Sequence, residues 1–248
     1  MLKKNYLLII IIVFLTSASL FVLTKKGFFN IHDIDLLVSV DDQQKNFVAP
    51  EIQKLNEELN AFKDQSMFSF SMWKMEQIIK SYLWVQDFRI SRSWPSTISI
   101  SLKPYKLQFL LTDEKKLIKG VVAPVLENAE VLSEISTAQA PGLAFLDLNT
   151  FSKNKEKRKK AIELLNSLPE DGKLNYKNIS EVGYDQKNGY WVEVAKSKMK
   201  VILGEDQFAM KSARVSQVMD YLDERDLKAR VIDANLSKKV LVRLQQNP

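Results

Sequence analysis

The chain carries few of the side chains that enzymes use for nucleophilic or metal chemistry. His32 is its only histidine and cysteine is absent, so a histidine-based triad and a thiolate or multi-histidine metal site are not expected. Acidic side chains cluster at residues 41–42 and at Asp223, Glu224 and Asp226. Neither cluster has the spacing of a calcium loop, and both are expected to be solvated. We predict no catalytic residue, no cofactor and no metal site.

The densest charge run is KNKEKRKK, residues 153–160, with basic residues on both sides of Glu156. Such a run could hold lipid headgroups or nucleic acid. No aromatic side chain for base stacking is interleaved with it, so a solvated loop leading into a helix is the expected structure. The net charge of +6 is too modest to indicate nucleic-acid binding without a clustered patch.

The amino-terminal run YLLIIIIVFLTSASLFVL is apolar throughout and has lysines on both sides. Its length matches a bilayer core of about 30 Å, which predicts a transmembrane helix over residues 6–24 after a cytoplasmic tail at 1–5. The alternatives are a cleaved signal peptide, because Ser17-Ala18-Ser19 offers small residues, and a buried core helix. With so short a tail, the polar remainder is expected outside the cytoplasm.

Residues 29–104 predict a compact module with the order strand, helix, helix, strand, strand. A loosely alternating strand at 29–40 is followed by a helix beginning near Pro50 and a second helix that Ser71 could cap. The stretch WVQDFRISRSWPSTISISLKP then predicts a hairpin, because Ile98, Ile100 and Leu102 alternate with polar residues around a Trp-Pro corner. Two helices on one face of three strands make an α+β module.

Residues 105–248 predict a β-rich domain with two helices. The helices are indicated by apolar periodicity in KRKKAIELLNSL and in FAMKSARVSQVMDYLDER, and short extended stretches fill the rest. The chain closes with ARVIDANLSKKVLVRL, which predicts two strands around a short turn. The fold class is therefore α+β, with a transmembrane helix, a small module and a β-rich domain.

The order of these features resembles the FtsQ/DivIB family of bacterial cell-division proteins. The module resembles the family's polypeptide-transport-associated (POTRA) domain, on the residues YLWVQDFRISRSWPSTISISLKPYKLQFLL. A second likeness is VILGEDQFAMKSARVSQVMDYL followed by VIDANLSKKVLVRL, with Lys211 and Arg214 on a helix after a Leu-Gly strand end.

The resemblance implies a non-enzymatic scaffold of the divisome that organises septal peptidoglycan synthesis by binding FtsB- and FtsL-like proteins. In the family the last strand offers its free edge to the FtsB partner, and a terminal strand with an unpaired edge is itself a template for β-augmentation. The expected partner-binding residues are Leu236, Lys238, Val240, Val242 and Leu244, with Lys211 and Arg214 on the adjoining helix.

The expected location is the bacterial inner (plasma) membrane at the division septum, with one membrane pass, the amino terminus in the cytoplasm and the remaining domains in the periplasm. The alternative function is a POTRA-bearing chaperone or adaptor in outer-membrane protein insertion or secretion. That role needs several such modules or a following barrel, and the sequence predicts only one module.

Overall fold

The chain forms two compact units, residues 1–104 and residues 105–248. The structure, a computed structural model, describes residues 2–39, 45–236 and 239–245, and within these the side chains of residues 2–10, 20 and 45–47 are not described. Each unit contains one β-sheet, of three strands in the first and nine in the second. The α+β class, the module and the β-rich domain predicted from the sequence are confirmed.

The first unit begins with helix α1 (Leu2–Lys25). Across the residues that the structure describes, none of the helices combines the length and the apolar composition needed to cross a membrane. A crossing helix needs about 20 consecutive, predominantly apolar residues. The transmembrane helix predicted for residues 6–24 is therefore wrong.

The three-stranded sheet has the order β1-β3-β2. Strand β1 (Asp33–Val38) runs parallel to β3 (Thr97–Pro104), and β2 (Val85–Ser93) pairs with β3 in an antiparallel hairpin. Ile98, Ile100 and Leu102 on β3 are buried while the residues between them are partly or fully exposed, as the alternation predicts.

Two helices connect β1 to β2, namely α2 (Lys45–Leu59), extended by a 3₁₀ turn at Asn60–Phe62, and α3 (Met72–Ser81). The hydroxyl oxygen of Ser71 accepts the backbone N–H of Lys74 over 3.3 Å, so the predicted cap of α3 is present. The predicted start of α2 is wrong, because Pro50 lies inside the helix. Proline's fixed φ suits a helix, but beyond the first turn proline lacks an N–H donor and its ring crowds the carbonyl group four residues earlier.

The nine-stranded sheet has the order β12-β11-β10-β9-β8-β7-β4-β5-β6. Parallel pairs join β4 to β7, β7 to β8 and β10 to β11, and the remaining neighbours are antiparallel. In chain order the strands are β4 (Leu107–Thr112), β5 (Val121–Leu126), β6 (Ile135–Ser136), β7 (Phe145–Asp147), β8 (Ile179–Asp185), β9 (Gly189–Val194), β10 (Met199–Gly204), β11 (Ala229–Asp233) and β12 (Leu241–Leu244).

The two helices predicted for the second unit are α6 (Lys155–Asn166) and α7 (Phe208–Glu224). The described residues also form two short helices that the prediction missed, α4 (Glu114–Ile118) and α5 (Leu148–Phe151), which are too short to show apolar periodicity. Buried residues of α6 and α7 join those of the strands in one hydrophobic core, and this core fixes the position of the sheet's last strands.

Candidate partner-binding edge

Strand β12 is the last strand of the nine-stranded sheet in the part of the chain that the structure describes. It pairs with β11 in antiparallel register, with Val242 opposite Ile232 and Leu241 opposite Asp233. The pairing of β11 with β12 is irregular between Ala229 and Val231, at the beginning of β11. The last strand, which the resemblance to the family places at residues 238–244, is thus present, but it begins at Leu241.

The backbone hydrogen bond from Gln245 N–H to the carbonyl oxygen of Lys228, 2.8 Å long, fixes which groups of β12 face the free edge. Along a strand, the backbone groups of successive residues point to opposite sides. Because the backbone N–H of Gln245 points toward β11, the backbone N–H and C=O groups of Arg243 and Leu241 do so as well. The N–H and C=O groups of Val242 and Leu244 therefore point away from β11, toward the outer edge.

The side chains of β12 alternate between the two faces of the sheet. Val240 and Val242 pack against the hydrophobic core on one face, whereas Leu241 and Arg243 are exposed on the other. Among the predicted contact residues, Leu236 and Leu244 are also exposed, and Lys238 lies outside the described residues. The side chains of Val240 and Val242 thus serve the chain's own core, while the backbone of Val242 faces the edge.

Lys211 lies in the first part of α7 and is buried rather than presented to a partner. Only 3% of its side chain is exposed, and its Nζ atom lies 2.8 Å from Oδ1 of Asp206, whose side chain is 75% exposed. This ion pair holds the pKa of the Asp206 carboxyl below its ordinary value. Arg214, one turn further along α7, is half-buried. Lys211 therefore joins the turn after β10 to α7, and its place is within the fold.

A groove of about 260 Å³ lies beside β12 on the face that carries Leu241 and Arg243. Its charged lining is mainly basic, from Lys187, Lys200 and Arg243 against Asp233. The ammonium of Lys200 lies 3.7 Å from the ring centroid of Trp191, an arrangement that a cation and an aromatic face favour. The sequence analysis does not include Leu241, Arg243 and Lys200 among the candidate binding residues. Alternation along the strands is the signal that could have placed them on one face of the sheet.

Carboxylates occupy the same face of the sheet on β9 and β8, one and two strands away from β10. Glu193 pairs with Lys200 across β9 and β10, and Glu181 pairs with Glu193 across β8 and β9. Burial raises the pKa of the Glu181 carboxyl, and the charges of Glu193 and Asp147 raise it further. The face therefore changes from acidic at β8 to basic at β12.

Members of two other charged clusters of the sequence are bonded within the fold. Arg158, from the basic run, is buried and donates from Nε to the carbonyl oxygen of Ala129 over 2.8 Å, and from Nη1 to those of Phe151 and Ser152 over 2.6 and 2.8 Å. Asp223 forms an ion pair with Lys173. Residues 41–42 lie outside the described residues, and no group of metal-ligating side chains occurs among the described ones.

Two family models match the chain. Residues 38–105 match a model described as the POTRA domain, FtsQ-type, and residues 117–235 match one described as cell division protein FtsQ/DivIB, C-terminal. A comparison with curated proteins finds no match. The two matched regions support a role in cell division at the division site.

Proposed function

Since this chain belongs to the FtsQ/DivIB family of cell-division proteins, we propose that it is a scaffold that binds FtsB- and FtsL-like partners and so organises septal peptidoglycan synthesis. The partner adds an extended segment along the outer edge of β12. The scaffold acts by binding alone, in keeping with a family of non-catalytic division proteins.

The observation that carries this proposal is the position of β12 at the end of the sheet, with the N–H and C=O groups of Val242 and Leu244 directed outward. Such groups accept an added strand through backbone hydrogen bonds, while the alternate side chains of that strand determine specificity. The exposed side chains of Leu241 and Leu244 border this edge on opposite faces, so an added strand would find apolar contact on both sides.

Substitution Val242→Pro tests the proposal at the outer edge, although it also removes the packing of the Val242 side chain on the core. Its N–H points away from β11, so proline removes an outward donor without removing a hydrogen bond inside the sheet. Val242→Thr is the matched control, because threonine keeps the N–H and the branched shape. We expect Val242→Pro to bind the extracytoplasmic segment of an FtsB-like protein about tenfold more weakly, and Val242→Thr to bind it normally.

A pull-down with titration of the partner measures this difference, and circular dichroism verifies that each variant is folded. Full-strength binding by a folded Val242→Pro protein would remove the edge of β12 as the partner site. A fluorescent fusion tests the cellular role separately: we expect it at the division site, and a uniform signal with none at that site would contradict the scaffold function. Hydrolysis of peptidoglycan by the purified chain would contradict the non-catalytic role.

A further inference from the structure

Four aromatic rings form one contiguous cluster at the surface of the first unit. Phe29 is its centre, with ring centroids 5.1 Å from Phe28, 5.3 Å from Phe68 and 6.1 Å from Trp94. Phe68 and Trp94 are themselves 5.1 Å apart. We call Phe28, Phe29, Phe68 and Trp94 the aromatic cluster.

Backbone hydrogen bonds hold together the three chain segments that carry these rings. Met67 N–H donates to the carbonyl oxygen of Phe29 over 2.8 Å, and Ile31 N–H donates to that of Gln65 over 2.9 Å. His32 N–H donates to the carbonyl oxygen of Ser96, 2.8 Å away, next to the Trp-Pro corner. The aromatic cluster is therefore fixed by the fold and does not depend on contact between flexible side chains.

Three of the four rings of the aromatic cluster are exposed to solvent. Phe28 is 47% exposed, Phe68 59% and Trp94 53%. Single exposed apolar side chains are ordinary, but a contiguous group of large ones marks an interaction site. The same unit provides a contrast in Trp73, which is 66% exposed on α3 and does not contact the ring of another described residue.

The charged side chains within the three segments that carry the aromatic cluster are basic, and Asp33 and Asp64 lie just outside these segments. The three segments 25–30, 66–69 and 93–96 contain Lys25, Lys26 and four serines and no carboxylate. The cluster is joined to the end of α1 by Gly27, whose φ of +74° ends the helix. The described side chains of α1 are also exposed and apolar, from Ile11 to Leu15 and at Phe21 and Val22.

We propose that the aromatic cluster is a lipid-contact surface, with its rings at the boundary between headgroups and acyl chains and with Lys25 and Lys26 at the phosphates. Tryptophan and phenylalanine rings beside lysines and small hydroxyl groups form the combination that interfacial lipid binding uses. The contact is peripheral and requires no crossing of the bilayer by this part of the chain. It is separate from the β12 edge, so neither proposal depends on the other.

Tryptophan quenching in the full chain tests the contact. The probe is a vesicle of phosphatidylethanolamine and phosphatidylglycerol whose acyl chains are brominated close to the headgroup. We expect the vesicles to quench the wild-type fluorescence, and Trp94→Phe to remove most of the lipid-dependent quenching. Trp73→Phe is the matched control and is expected to leave it nearly unchanged.

The double variant Phe68→Ser/Trp94→Ser tests whether the rings contribute affinity. We expect its binding to the same vesicles in flotation to be roughly tenfold weaker, because two large apolar groups no longer leave water. Equal quenching in wild type and Trp94→Phe, or flotation of the double variant at wild-type strength, would overturn the proposal. So would a blue shift of Trp94 emission that appears on raising the protein concentration without vesicles, since that result assigns the cluster to a second copy of the chain.

Discussion

The Nζ atom of Lys211 lies 2.8 Å from Oδ1 of Asp206 and is almost completely enclosed, while the carboxylate is open to solvent. The ammonium also lies close to Gly204, since a Cβ placed there would be 3.1 Å from Nζ. One lysine therefore connects the end of β10, the following turn and α7. This arrangement gives Lys211 a role in stability that can be separated from partner binding.

Lys211→Ala is expected to lower the free energy of unfolding by about 2 kcal/mol, through loss of the packed aliphatic stem and of the ion pair. Lys211→Met keeps most of the aliphatic stem, so its free energy of unfolding should fall less than that of Lys211→Ala. Urea denaturation of both variants measures the difference. An Ala variant of unchanged stability that fails to bind the partner would instead make Lys211 a contact residue.

The ion pair also predicts a dependence of stability on pH. The pKa of Asp206 is lower in the folded chain than in the unfolded one, so its contribution is complete above the unfolded pKa and is lost as the pH falls through the folded pKa. Asp206→Asn should make the free energy of unfolding fall less steeply as the pH becomes acidic. Thermal unfolding across acidic pH measures it, and an identical slope in both proteins would contradict the pairing.

Arg158→Ala is expected to destabilise the second unit by about 3 kcal/mol, because three carbonyl oxygens lose a charged donor. Lys159→Ala is the control from the same helix, since Lys159 forms an exposed ion pair with Glu156 and such pairs contribute about 0–1 kcal/mol. Denaturant midpoints compare the two variants. Equal midpoints would show that the basic run is solvated, as the sequence alone suggests.

Gly189→Ala is expected to be severely destabilising, by about 3 kcal/mol or more. The φ of Gly189 is +72°, and an added Cβ would lie 2.6 Å from the backbone carbon of Gly204. Backbone atoms cannot move aside as a flexible side chain can. Gly142→Ala meets nothing within 4 Å and should be nearly neutral in the same thermal melt, so comparable losses in the two variants would contradict the close approach of β9 to β10.

Burial and the hydrogen bond with Glu58 raise the pKa of Tyr82 to about 12. The folded chain then keeps this proton longer than the unfolded chain, so the stabilisation is present below about pH 10 and is lost as the pH rises toward 12. Ultraviolet titration of wild type and Tyr82→Phe isolates this phenol. Ionisation of Tyr82 near pH 10 would contradict its hydrogen bond with Glu58.

Apolar periodicity predicts the helices and strands that carry the core, and it also indicates which basic side chains are buried. Lys211 falls on the same face of α7 as Val215, Met219 and Leu222, and Arg158 falls on the same face of α6 as Ala161 and Leu165. A basic residue in register with a buried stripe is a candidate for a buried, bonded side chain. Residue type alone instead places Arg158 in a solvated basic run and Lys211 among the partner-binding residues.

The direction of the groups on β12 could not be predicted from the sequence. Alternation along VLVRL shows that neighbouring residues differ, but which ones face outward depends on the pairing of Gln245 with Lys228 and on the irregularity in β11. These are contacts between distant parts of the chain, set by register rather than by local propensity. The aromatic cluster depends in the same way on three segments that are separate in sequence.

Amide hydrogen exchange in β12, measured by NMR with and without a saturating FtsB-like segment, tests the central claim most directly. Strand addition predicts that exchange at Val242 and Leu244 slows markedly on binding, whereas Leu241 and Arg243, which already face β11, change little. Unchanged exchange at Val242 and Leu244 in a fully bound complex would show that the partner binds elsewhere.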